Sequence, residues 1–262
     1  MCFDRSLPAP FVVAVAERLE ADGVDQLWVI EDCFYTAGVS LAATALARTE
    51  RLTVGIGILP AVARNPAITA MEIATLANLA PGRLLAGIGH GVQDWMEQMG
   101  ARTSSPVTTL DEVITVVRAL LRGDTVTFDG REVTMRDVAL DAPPSVVPPV
   151  LAGVRGPRSL ALAGRVADGV VLAEGAGPTA VAAAIEQAGA AEGFRVSVFT
   201  ALAIDEDAAA ARRMMAPLVA SMLDGSNPAV EAHPHAAEIH ERFAARGAKG
   251  IADMPSDCCL LY

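Results

Sequence analysis

Residues 52–91 make up one complete strand–helix–strand unit: LTVGIGILP, the helical stretch ARNPAITAMEIATLANLAPGR, and LLAGIGHG. Both strands end in glycine-spaced turns, with glycines at 55 and 57 and again at 87, 89 and 91. Strand ends of this kind are where parallel α/β proteins receive ligands. Glycine removes side chains there and lets a flat ring or a phosphate approach the backbone, so the unit is expected to receive something planar.

Helical and strand patterns alternate along the rest of the chain, which argues for parallel strands wrapped by helices. Residues 8–22 carry Phe11, Val12, Val15, Ala16 and Leu19 at helical spacing, with Gly23 just past the end. Further strands are expected at 2–5, 26–30, 52–59, 84–88, 150–153, 169–173 and 195–204. Helices are expected at 39–48, 66–79, 109–122, 157–166, 178–191, 206–223 and 236–246. The count is about seven barrel strands, against the eight that closure requires. A length of 262 residues matches a TIM-type (β/α)8 barrel forming a single domain over residues 1–262.

Two segments depart from that rhythm. Residues 124–138 alternate apolar and polar positions around Asp129-Gly130, a strong hairpin signal, so a β-hairpin is expected as an insertion. The tail, residues 225–262, shows no final βα unit. Either the last strand comes from residues 258–262, or the chain is shortened and leaves an open seam whose sheet edges invite dimerisation.

Composition narrows the function classes. Hydrophobic residues make up 52%, yet no apolar run approaches the ~18 residues of a membrane span. The opening MCFDRSLPAP lacks the pattern of a signal peptide, and cysteines 2, 33, 258 and 259 show no metal-binding spacing. A cytoplasmic location is expected, with the cysteines as uninformative free thiols. The net charge of −11 would repel nucleic acid. An anionic cofactor remains compatible, because a few local arginines and oriented amides hold a phosphate on an acidic protein.

Several motifs occur in a recognisable order: LWVIED, TERLTVGIGILP followed by RNP and MEIATLANLAPGR, LLAGIGHGVQDWMEQMG, TVTFDG, and LAGVRGPRSLALAGRVADGVVLA. On these the chain resembles the luciferase-like monooxygenase superfamily, in particular its deazaflavin (coenzyme F420)-dependent branch related to methylenetetrahydromethanopterin reductase. The likeness runs from about residue 2 to about residue 223. It implies a metal-free barrel with the cofactor ring at the C-terminal mouth and hydride transfer to a small organic substrate. FMN is the alternative cofactor, for a monooxygenase served by a separate reductase; the family also includes non-catalytic flavoproteins. Relatives are often dimers, so a homodimer is expected.

The resemblance also assigns residues. A non-proline cis peptide against the ring falls on Gly57-Ile58, beside Leu59. Many members carry a histidine after the acid that follows the strand LWVI, and this chain has Glu31-Asp32 there. Adjacent carboxylates on extended backbone point to opposite faces, so one aims inward. Asp32 is expected to be that group, as a proton donor or acceptor or in a structural salt bridge. Gly89 and His90 end the next strand, and His90 either meets the ring or caps backbone groups. Gly153, Val154, Arg155, Gly156, Pro157 and Arg158 lead into a helix whose positive end suits a phosphate, and Ala173, Glu174 and Gly175 complete that site. Arg64 either meets an anionic tail or buttresses its loop. Trp28 is expected in the core. His233, His235 and His240 are expected to be solvated, with no metal site.

Overall fold

Strand-forming segments separated by amphipathic helices cannot pair as hairpins, because each helix carries the chain back across one face of the sheet. The result, in a computed structural model that describes residues 1–173, 175–223 and 236–252, is a curled parallel sheet of TIM-barrel type with helices outside. The strands are β1 (Gln26–Val29), β2 (Thr53–Pro60), β3 (Leu84–Gly89), β6 (Val150–Gly153), β7 (Gly169–Leu172) and β8 (Arg195–Val198), in the order β1-β2-β3-β6-β7-β8. Around them run α1 (Phe11–Ala21), α2 (Gly38–Arg48), α3 (Pro66–Leu79), α5 (Pro106–Leu121), α6 (Pro157–Val166) and α7 (Pro178–Ala188). A short α4 (Gln93–Gln98) caps β3, and α8 (Ala208–Leu223), α9 (Ala236–Arg246) and α10 (Ala248–Ala252) form a small satellite cluster around Val219, Leu223 and Ile239.

The expected first strand at residues 2–5 is reduced to a single parallel bridge between Cys2 and Trp28. The chain turns away after Phe3 because the Asp4 carboxylate accepts from the Ser6 amide at 2.8 Å, and Leu7 N–H donates to the Asp4 carbonyl at 3.0 Å. The described sheet therefore has six strands and this bridge. The expected strand at 195–204 stops at Val198, with Phe199 N–H making a further bond to the Leu172 carbonyl at 2.8 Å. Beyond it Leu202 and Ile204 are exposed. The strand proposed for residues 258–262 lies outside the described residues.

The inserted hairpin is present as β4 (Val126–Asp129) and β5 (Thr134–Val138), but its turn is not the tight Asp129-Gly130 reversal. Residues 130–133 form a wider loop closed by Gly130 N–H to the Val133 carbonyl at 2.9 Å. The Glu112 carboxylate on α5 accepts from the amides of Arg131, Glu132 and Val133 at 2.8, 2.8 and 2.7 Å. A side chain from a neighbouring helix satisfies those orphan donors, and this replaces the local turn chemistry.

Inside the sheet Trp28, Leu85, Leu151 and Val171 form a separate apolar cluster joined by Ile58 and Phe199. Trp28 is 5% exposed, as expected of a core residue, and meets Phe199 edge-on with centroids 5.3 Å apart. This cluster plugs the barrel below the mouth and leaves the strand ends above it open.

Candidate active site

The C-terminal ends of all six strands surround one cavity of about 510 Å³, the position at which barrels of this kind carry their sites. Its floor is the Gly57-Ile58 peptide, which is cis, and pairing of β2 with β3 shifts register between Ile56 and Leu59 at this point. Ile58 therefore bulges into the barrel mouth.

That bulge revises the reason for the glycines. A Cβ on Gly87, Gly89 or Gly153 would stand 3.0, 3.0 or 2.6 Å from an Ile58 atom, and one on Gly55 would stand 2.4 Å from the Trp28 ring. At Gly55 and Gly153 the protein's own Trp28 and Ile58 fill that space, whereas at Gly87 and Gly89 the first atoms met are the backbone carbonyl oxygens of Ile56, at 2.3 Å, and of Gly153, at 2.7 Å, so close packing within the barrel accounts for all four missing side chains. Gly57 and Ile58 line the cavity, whereas Leu59 is 1% exposed in the main core and Gly89 lies beneath Ile58.

Past β6, Gly153, Val154, Arg155 and Gly156 form one wall, and Gly156 has no atom within 4 Å of where a Cβ would stand. Helix α6 begins at Pro157, and its first internal bond runs from Leu160 N–H to the Gly156 carbonyl at 2.9 Å. The amides of Arg158 and Ser159 thus have no helical acceptor. Arg155 and Arg158 are exposed and make no ion pair among the described residues. A backbone concavity, a helix N-terminus and an unpaired guanidinium meet here, a combination suited to a phosphate. Pro157, Arg158 and Gly175 lie outside the cavity wall, Ala173 lies in it, and Glu174 is outside the described residues.

On the opposite side the two carboxylates after β1 both reach the wall. Glu31 is the more enclosed, with its side chain 10% exposed, and Arg64 grips both its oxygens. Its Oε2 also accepts the Gly38 amide at 2.9 Å, so it closes the N-terminus of α2, and Arg64 continues to Glu72 at 3.2 Å. Burial acts against the Arg64 charge, but hydrogen bonding and attraction from Glu31 outweigh it and its pKa rises. Arg64 is thus a buttress. Asp32 takes a salt bridge from Arg5 at 2.7 Å, and Arg5 also lies 5.0 Å from the Tyr35 ring centre.

His90 lines the cavity with both ring nitrogens engaged. The Pro106 carbonyl only accepts, so Nδ1–H donates to it at 3.2 Å, and Nε2 accepts from the Ser159 hydroxyl at 2.9 Å. Burial pushes its pKa down and keeps the ring neutral, with the Pro106 carbonyl partly offsetting this. His90 therefore ties α5 to the start of α6.

Cys33 and Phe199 are also in the wall, together with Ile30, Val92, Trp95 and Met96. Burial, then the charges of Glu31 and Asp32, push the Cys33 thiol up. Neither is singled out by the sequence: Cys33 is one of four cysteines without metal-binding spacing, and Phe199 falls inside the strand expected over 195–204, whereas that strand ends at Val198 and leaves Phe199 directly after it. Among the described residues no group of three His, Cys, Asp or Glu side chains is placed to hold a metal. His233 and His235 lie outside the described residues.

The family profile described as luciferase-like monooxygenase matches residues 5–258. A 5,10-methylenetetrahydromethanopterin reductase from Methanolobus tindarius is 33% identical over 233 residues, covering 86% of this chain and 71% of the relative. An F420-dependent glucose-6-phosphate dehydrogenase from Beutenbergia cavernae is 32% identical over 178 residues, 63% of this chain and 53% of the relative. The solved coenzyme F420-dependent tetrahydromethanopterin reductase from Methanopyrus kandleri superposes with a TM-score of 0.80 at 23% identity, covering 100% of this chain and 84% of that one, a likeness of fold. A family match across nearly the whole length, together with a parallel barrel whose Gly57-Ile58 bulge lies at its mouth, places this chain in the luciferase-like monooxygenase family.

Proposed function

We propose that this protein is an F420-dependent oxidoreductase that moves hydride between the deazaflavin and a small organic substrate. The observation that carries the reading is that the Ile58 bulge and the exposed Arg155 face one cavity. The residues fit the cofactor: Gly57 and Ile58 would back its ring, and Gly153 to Gly156 with the start of α6 would hold its phosphate, where Gly156 leaves open space. When bound, F420 supplies the hydride-carrying carbon. The chain's own part is orientation and exclusion of water by Trp95, Met96 and Phe199, with Asp32, held by Arg5, as the carboxylate nearest to proton traffic.

Relatives named for F420 support this choice over FMN. The protein is further inferred to act in the cytoplasm and as a homodimer, with the exposed Ile68, Met71 and Leu79 of α3 as the contact stripe. A flavin or F420 reductase that supplies reduced cofactor is the further partner inferred. The test is a parallel titration with F420 and FMN, by absorbance and fluorescence, on protein that melts cooperatively. Selective F420 binding supports the reading, FMN preference redirects it to oxygen chemistry, and folded protein that binds neither overturns it.

A further inference from the structure

Resting on the F420 reading, we propose that the substrate half of this cavity takes an uncharged, largely apolar molecule, one bearing neither phosphate nor carboxylate. The argument starts from where positive charge lies. Residue 174 and segments 224–235 and 253–262 contain no Lys or Arg, so every cation of the chain is among the described residues. Of these, Arg155 alone lines the cavity, and it stands on the turn after β6 that holds the cofactor phosphate. His90 adds no charge, since burial keeps it neutral.

In the sheet order β1-β2-β3-β6, the wall after β1 is three strands away from that turn. There a bound molecule meets Glu31 and Asp32, whose partners Arg64 and Arg5 are not part of the cavity lining. An anion on that side would face two carboxylates without a cation of its own. A cation gains little, because both acids are already paired. The remaining wall is apolar, from Ile30, Val92, Trp95 and Met96. Phe34, 64% exposed, follows Cys33 at the rim and extends the apolar surface outward.

The inference separates this chain from a relative named for glucose 6-phosphate, whose substrate carries a phosphate needing a counter-charge. Specificity here would come from leaving charged groups uncompensated.

The experiment uses the F420-loaded chain and three ligands with one aromatic core: acetophenone, para-acetylbenzoate and para-acetylphenyl phosphate. Binding is read from quenching of cofactor fluorescence and from the shift in melting temperature. The neutral ketone should bind at least about tenfold more tightly than either anion, and Val92→Arg, compared at saturating F420, should raise affinity for the phosphate ester about tenfold. Anions binding as tightly as the ketone, or a loaded protein that ignores the ketone, would overturn the proposal. Failure to bind F420 is seen before any ketone is added and counts against the functional reading alone. The melting-temperature arm is then run with the same criteria on the free Arg155→Ala chain, in which the cation of the cofactor side is not open to the anions.

Discussion

The Cγ2 atom of Ile58 lies 2.6 Å from the point where a Cβ on Gly153 would stand. The bulge of β2 and the phosphate-type turn of β6 therefore share one volume, and neither can change without the other. Gly153→Ala should cost about 1–3 kcal/mol by overpacking, measured by urea unfolding. Ile58→Ala should remove much of that penalty, so the double variant is more stable than the sum of the singles predicts. An additive cycle would mean that the two positions are independent.

Arg155 is exposed on the cavity wall and makes no ion pair or side-chain hydrogen bond among the described residues. Arg155→Ala should therefore leave the melting temperature within experimental scatter while weakening F420 about 10- to 100-fold, the range of a charge-assisted contact. Its effect should shrink in high salt. Arg158→Ala, on a residue outside the cavity wall, is the matched control, and equal losses from both would move the anion site toward α6.

The parallel βα order, α3 and the Gly57-Ile58 bulge were legible because each rests on local pattern or on one motif. Long-range pairings were not. Nothing in LWVIED shows that Glu31 will meet Arg64, 33 positions on, and close α2. The Asp129-Gly130 turn was misjudged for the same reason, since Glu112 sets that loop from another element. The strand-end glycines stand out in the sequence, but what approaches each of them does not. A missing side chain marks close approach without telling whether a ligand or the protein's own Ile58 comes near. Short α4, which brings Trp95 and Met96 to the cavity, is too brief for helical periodicity to announce it.

The Glu31–Arg64 pair is mostly enclosed, at 10% and 22% side-chain exposure. Arg64→Met would leave Glu31 with the Gly38 amide alone among the described residues, and should destabilise the fold by about 1–3 kcal/mol, below the cost for a fully buried pair because solvent still reaches Arg64. Glu31→Gln in that background should recover part of the loss, because it removes the uncompensated charge. Thermal and urea unfolding of the parent and the two variants check this, and an Arg64→Met variant as stable as the parent would show that the pair adds nothing to stability.

Burial holds the His90 pKa below its ordinary 6.5. Between that lowered value and 6.5 the unfolded chain binds more protons than the folded one, so stability rises with pH through the window. It is lost as pH falls, since protonation must occur on a ring enclosed by Pro106 and Ser159. His90→Gln, which keeps one donor and one acceptor, should flatten this slope just below pH 6.5, while carboxylate effects such as that of Glu20, whose pKa is lowered, stay confined to more acid solution. Unfolding free energies of parent and variant across that range decide the matter: equal slopes would show that His90 does not titrate with folding and leave its role purely geometric.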